Sequence, residues 1–296
     1  MLGRILAVTM QVPDLATIEN AYKDLLGYVV VERGTVCAAS GRIWGTPKAI
    51  GHNFLLLQPE SGAEVYLRFI EINLDQDYKP LTTYGWNATE ILVKDVDKLY
   101  EQLKESVFEI IAPPRNLSHT DLIRAMQVFG PARELLYLTT IKDPNTGLGQ
   151  AESFVDRPFI VINGGMDMES LVYFYGTKLG IDISAPQLVR MSALNKLRGF
   201  DSETKHPLAT ANIGGPFMIE LDQYPEGTKY RSVKTGHLPS GTAMVTFQVD
   251  SLETIPVSFV SNTGRVNNAL YRGRAAGVIK GPSDELLELV ETGTST

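Results

Sequence analysis

One segment of the chain is written twice. DLATIENAYKDLLG runs from Asp14 to Gly27 and DMESLVYFYGTKLG from Asp167 to Gly180; in both, a tyrosine (Tyr22, Tyr175) follows the aspartate by eight residues and a leucine (Leu26, Leu179) precedes the glycine. Repetition of this kind constrains a fold strongly, because each copy must be one structural unit packed against its neighbours. The aspartate suits a helix N-cap, where its carboxylate accepts from free N–H groups of the first turn, and the glycine suits the left-handed residue past the helix end. Strand-like text precedes each copy, LAVTMQV before Asp14 and PFIVING before Asp167. Two weaker copies have the same grammar: TEILVKDVDKLYEQL, with a helix from Asp95, and AMVTFQVDSLETI, with a helix from Asp250. Each unit closes on a further strand, EVYLRFIEI, ELLYLTTI, PFMIELDQ or ELLELVE, the last three introduced by Gly130-Pro131, Gly215-Pro216 and Gly281-Pro282 turns. The pattern is β-α-β-β-β, four times over.

A chain of 296 residues with 44% apolar and 21% charged residues can bury the cores such units need, and this composition excludes a disordered or collagen-like polymer. DPNTGLGQAESFVD, residues 143–156, lacks apolar periodicity and reads as a linker. It separates a module pair at 1–142 (modules about 4–73 and 84–142) from a second at 157–296 (modules about 157–223 and 240–292). No apolar run approaches the roughly 18 residues of a membrane span, and MLGRILAVTM enters strand-like sequence without a basic leader, so a cytoplasmic location is expected. With 27 Lys+Arg against 34 Asp+Glu, a net charge of −7 and no basic cluster, neither nucleic acid nor an anionic membrane is an expected partner; a small molecule is. The single cysteine, Cys37, rules out an internal disulfide.

Four such units, with AYKDLLG or FYGTKLG at the helix ends and GPSDELLELVE at the last strand, resemble the vicinal oxygen chelate superfamily of glyoxalase I, extradiol dioxygenases and bleomycin-resistance proteins. The resemblance implies an α+β fold in which four βαβββ modules form two paired-module, cup-shaped mixed sheets. It also implies pairing of units within one chain or between two, which leaves a homodimer open. Metal-dependent members carry a histidine on the first strand, seven residues before the helix-opening aspartate, and a glutamate on the closing strand, completing a facial triad. Here the positions seven back are Ala7, Ala88, Ile160 and Ala243, and the four histidines, His52, His119, His206 and His237, fall in loops or later segments without HxH or HxxxH spacing. No cofactor is therefore expected. The alternative is a divalent metal held by Glu220 or Glu288 with His206 or His237.

Aligned closing strands place Glu288, Tyr137, Glu220 and Arg68 at one position. Facing inward, they give a C-terminal cup with two carboxylates and an N-terminal cup with Arg68 and Tyr137. A carboxylate desolvated in an apolar cup has a raised pKa, as a general acid or base at neutral pH requires. Glu220 and Glu288 are thus the catalytic candidates, and Arg68, Tyr137, His206, His52 and Trp44 the substrate-binding ones. The expected function is a metal-independent acid/base enzyme, of lyase or isomerase type, acting on a small aromatic or polyketide-like molecule. The alternatives are a ligand-sequestering protein and a metalloenzyme with unconventional ligands.

Overall fold

A computed structural model describes residues 2–117 and 120–293 of the chain; His119 lies outside them. The first unit comprises β1 (Leu2–Val12), α1 (Leu15–Leu26), β2 (Val29–Thr35), α2 (Ala38–Ile43), β3 (Asn53–Gln58) and β4 (Tyr66–Glu71). The second comprises β5 (Gly85–Val93), α3 (Val96–Leu103), β6 (Glu109–Leu117), β7 (Thr120–Phe129) and β8 (Leu135–Ile141). In the third, β9 (Val155–Gly165) leads to α4 (Met168–Val172), which continues as a π-helical turn at Tyr173–Lys178. Then come β10 (Asp182–Ile183), β11 (Gln187–Arg190), α5 (Ser192–Arg198), β12 (Lys205–Asn212) and β13 (Met218–Gln223). The fourth has β14 (Thr242–Val249), β15 (Gly264–Arg265), β16 (Ala275–Lys280) and β17 (Leu286–Glu291).

The helix signals act as written. Asp14 accepts from the N–H groups of Ala16 and Thr17, Asp95 from Lys98 and Asp167 from Ser170, while Gly27 takes the left-handed conformation at φ 72°. The helix expected from Asp250 is a correction: only a 3-10 turn, Leu252–Thr254, forms there. Pro256 follows too closely for a second turn, since it has no N–H to give and its ring clashes with the preceding carbonyls.

Within every unit the closing strand lies parallel to the first strand, β4 on β1, β8 on β5, β13 on β9 and β17 on β14. First strands then pair antiparallel, β1 with β14 and β5 with β9. The result is an eight-stranded sheet from units 1 and 4, ordered β15-β16-β17-β14-β1-β4-β3-β2. A nine-stranded sheet from units 2 and 3 follows the order β10-β12-β13-β9-β5-β8-β7-β6, with β11 on β12. This corrects the expected pairing within each half of the chain. Every first strand offers the same unpaired edge, so strand pattern alone does not choose the partner.

The largest core gathers α1, α3 and α4 with one face of each sheet; Val8, Phe69, Trp86, Phe159 and Phe247 belong to it. Two smaller clusters fill the concave faces, one around Trp44, Phe54 and Tyr271, the other around Phe129, Ile162 and Tyr224. We refer to these concavities as the first cup (units 1 and 4) and the second cup (units 2 and 3). No helix is long and apolar enough to cross a membrane among the described residues.

The repeated tyrosines have a shared purpose. Tyr22 donates across to Glu134 Oε1 at 2.9 Å, and Tyr175 to Glu285 Oε1 at 2.7 Å. Each glutamate sits at the end of a Gly-Pro turn and accepts a second bond from that turn, from Ala132 N–H (2.8 Å) or Ser283 N–H (2.7 Å). Burial pushes both carboxyls up to about 7. One clasp joins unit 1 to unit 2 and the other joins unit 3 to unit 4.

Candidate active site

Strand register fixes what faces what. The closing-strand residues Arg68, Tyr137, Glu220 and Glu288 lie beside Thr9, Glu90, Ile162 and Thr246 of the adjoining first strands. These neighbours stand five residues before the helix-opening aspartate in three units and four before it in the last, not seven. Because units 1 and 4 form one cup, Arg68 meets Glu288, and Tyr137 meets Glu220. The expected grouping of two carboxylates in one cup and Arg68 with Tyr137 in the other is corrected accordingly.

In the first cup, Arg68 (3% exposed) and Glu288 (0%) form an ion pair at 2.8 Å. The guanidinium also donates to Thr9 Oγ1 (2.9 Å) and Tyr271 OH (2.8 Å), and lies 4.6 Å from the centre of the Trp44 ring. Burial works against the Arg68 charge, and the Glu288 carboxylate more than offsets it. Glu288 accepts two donors on each oxygen: Trp44 Nε1 (2.6 Å) and the Tyr271 hydroxyl on Oε1, Arg68 Nη2 and Thr246 Oγ1 (2.6 Å) on Oε2. Each oxygen therefore already has two donors, and the acceptor sites of the carboxylate are filled. Trp44, read as a stacking surface for a ligand, presents its ring to Arg68 instead. A cavity of about 130 Å³ adjoins the network, lined by Cys37, Trp44, Arg68 and Tyr271 among others. It is well short of the roughly 300 Å³ at which small-molecule pockets begin.

The second cup is unlike the first. Glu220 and Asp222 are two apart on β13 and so share a face. Their carboxyls lie within hydrogen-bonding reach of each other, with Glu90 and Tyr137 close enough to feel their charge. Burial, reinforced for Glu220 by the neighbouring Asp222 and Glu90, holds both well above the usual carboxylate range. Glu90 is pushed up to about 7 by burial, against the pull of a hydrogen bond from Thr139 Oγ1. As whole residues Glu90, Tyr137 and Glu220 are half-buried, and burial acts on the polar end of each. Tyr224 (2% exposed) lays its ring over Gly164, the register partner of Asp222; a Cβ there would come within 2.5 Å of the ring. Among the described residues, Asp222 Oδ1, Tyr224 OH and Gln127 Oε1 are buried without a hydrogen-bond partner. Buried polar atoms without partners are rare and call for an explanation.

Of the two histidines read as substrate contacts, His206 stands on β12, on the sheet face of Asp222 at the edge of the second cup, and His52 stands just before β3. His206 is buried, with Nε2 2.7 Å from Asn195 Oδ1 of α5 and its ring packed on Phe200. His52 is exposed, with Nδ1 2.9 Å from the Glu71 carbonyl. The sequence reading missed Glu90, Asp222, Tyr224, Gln127 and Tyr271. Asp222 was within reach of it, since strand alternation places any residue two beyond Glu220 on the same face.

The fold implies a metal, and the residues present do not fit one. A facial triad needs two imidazoles and a carboxylate with free lone pairs. The first cup offers a carboxylate already engaged by four donors and places a guanidinium beside it. In the second cup the imidazole on the carboxylates' sheet face, His206, is already bonded to Asn195, and a triad needs a second one. Among the described residues, no three His, Cys, Asp or Glu side chains come together as a ligand set, and this includes the pairing of Glu220 or Glu288 with His206 or His237.

No protein-family profile and no curated protein matches the sequence. Solved structures do. Glyoxalase I from Zea mays superposes with a TM-score of 0.65, at 16% identity over 97% of this chain and 92% of its own. A candidate dioxygenase from Bacillus subtilis superposes with a TM-score of 0.60, at 12% identity over 98% of this chain and 85% of its own. At these identities the likeness is one of architecture, and it covers all four units. The chain has the four-unit fold of glyoxalase I, the fold of the vicinal oxygen chelate superfamily.

Proposed function

We propose that the protein is a metal-independent acid/base enzyme of isomerase or lyase type, working in the second cup on a small aromatic or polyketide-like molecule. The observation that carries this reading is the carboxyl cluster of Glu220, Asp222 and Glu90, which is desolvated, with Glu220 held up further by its two acidic neighbours. Its salt bridge to Arg68 supports a structural role for Glu288 in this reading.

The geometry suits transfer of a proton across a substrate. Glu90 on β5 and Glu220 on β13 are two strands apart, with β9 between them, so their backbones are separated by roughly 10 Å. Ile162 of β9 and Ala88 of β5, register partners, form the apolar floor beside them. A planar carbon framework lying on that floor has a carboxyl on either side. Glu90, near half-ionised at neutral pH, takes a proton from carbon. The Glu220–Asp222 pair holds a proton ready for the opposite end of the molecule, and Tyr137 can donate to an oxygen that gains charge on the way. Return of the proton to a different carbon gives isomerisation; departure of a leaving group gives a lyase.

Hydrogen–deuterium exchange at carbon tests this without knowledge of the physiological product. Aryl ketones and β-dicarbonyl compounds are incubated with protein in D2O and followed by proton NMR. Exchange at least about a hundredfold above buffer is expected, falling by about a hundredfold or more in Glu220→Gln and Glu90→Gln while ligand affinity stays within about tenfold. Unchanged exchange in both variants refutes the assignment. Binding with no exchange favours the ligand-sequestering reading.

A further inference from the structure

The two cups are the same construction with different residues, so one shows what the other lacks. In the first, the closing-strand pair is Glu288 with Arg68, and the carboxylate is answered by a guanidinium held against Trp44 and Tyr271 at 4.6 and 5.8 Å from the ring centres. In the second, the equivalent pair is Glu220 with Tyr137; Glu90 stands where Thr9 stands, and Asp222 adds a third carboxyl. Among the described residues, no Lys or Arg side chain hydrogen-bonds any of the three. Two cations of α5, which packs on this cup, are committed elsewhere: Lys196 to the Ile111 carbonyl (2.6 Å), Arg198 to the Leu81 carbonyl (3.3 Å) and Thr228 (3.1 Å). Independently of the acids, the Tyr224 hydroxyl and Gln127 Oε1 are buried in this cup without partners. A cluster of acceptors flanked by Tyr137 and Tyr224, with no internal donor cation, is complementary to a planar or tetrahedral nitrogen cation.

We infer that the second cup binds the guanidinium or ammonium group of a small organic molecule, placed as the Arg68 guanidinium is placed in the first. This deepens the proposed function by naming the charge class of the substrate, and it rests on the second cup being the working site. A bound cation favours the ionised form of the carboxyls around it, so ligand entry expels protons and turns Glu220 or Asp222 into a competent base. The titratable groups around the site are Glu90 from β5, Tyr137 from β8, Glu220 and Asp222 from β13, Tyr224 beyond it, and His206 on the same face of β12.

Isothermal titration with benzylguanidine, which stays charged at every pH used, and with benzyl alcohol as its neutral counterpart tests the inference. Benzylguanidine is expected to bind at least about tenfold more tightly than benzyl alcohol, to gain affinity between pH 6 and 9, and to release protons, read as a difference between phosphate and Tris buffers. Glu220→Gln/Asp222→Asn should erase the preference while benzyl alcohol binding is retained. Tyr137→Arg, which supplies the cation from within, should erase it too and raise the melting temperature. Equal affinity for the two probes, no binding of benzylguanidine up to 10 mM, or affinity independent of pH would each overturn the inference, as would stoichiometric Zn²⁺ uptake by wild type and not by the double variant. The exchange assay separates the two proposals: loss of exchange in Glu220→Gln without any cation preference means a neutral substrate, and cation preference without exchange means a binding protein.

Discussion

Replacing Arg68 by methionine should damage the protein more than replacing Arg68 and Glu288 together. Arg68 makes three hydrogen bonds inside the first cup, and Glu288 is wholly buried. Arg68→Met keeps most of the side-chain volume and leaves the carboxylate in a low-dielectric site without its counter-charge. Stranding one member of a buried pair costs about 3–5 kcal/mol. At about 2–4 °C per kcal/mol for a protein of this size class, the melting temperature should fall by about 6–20 °C. Adding Glu288→Gln removes the stranded charge and still presents an acceptor to Trp44 and Tyr271, so about 2 kcal/mol of the loss should return. Urea unfolding of wild type, both single variants and the double variant measures the coupling directly. A cost below about 1 kcal/mol for Arg68→Met, or a double variant less stable than Arg68→Met alone, would refute the account of the first cup as a charge-compensated structural centre.

Other outcomes follow from the clasps and the second cup. Glu134 and Glu285 bind protons more readily folded than unfolded, so their contribution to stability is full below about pH 4.5 and is lost as pH rises through about 7. The urea midpoint should therefore fall from pH 5 to pH 8, and Glu134→Gln/Glu285→Gln should flatten that slope; a rising midpoint would contradict it. Tyr22→Phe and Tyr175→Phe each remove one buried hydrogen bond to a carboxyl, and each should cost about 1–3 kcal/mol by thermal or urea melts. Gly164→Ala drives a methyl group into the Tyr224 ring and should cost about 1–3 kcal/mol while weakening ligand binding in the second cup, with the first cup's melting contribution untouched.

Much of the architecture was legible because it depends on local chemistry repeated four times. Asp14, Asp95 and Asp167 cap helices for reasons contained within three residues of each, and alternation along LLELVE and MIELDQ is enough to put Glu288 and Glu220 on concave faces. Partner choice was not legible. Whether β1 lies against β5 or β14 turns on contacts between residues more than two hundred positions apart, and both choices satisfy the same strand edge. That single ambiguity decided the chemistry, since it sends Arg68 to neutralise Glu288 and leaves Glu220 with Tyr137. Glu90 was hidden by register: the count of seven from Asp95 falls on Ala88, while the residue beside the closing strand is two further on. His206 and His52 were candidates by residue type alone, and their hydrogen bonds to Asn195 and to the Glu71 carbonyl give them other employment.

The order in which units touch has a consequence for how the chain can be divided. Backbone ladders join unit 4 to unit 1 and unit 2 to unit 3, while the tyrosine–glutamate clasps join 1 to 2 and 3 to 4. The four units therefore form a closed circuit in which every joint between neighbours is used. A cut between residues 142 and 157 leaves each half with both of its first-strand edges bare, β1 and β5 in one, β9 and β14 in the other. Neither piece is a self-contained module. Mixed together they present matching edges to each other, so reconstitution from two separately produced fragments, and not independent folding of either, is the behaviour this circuit encodes.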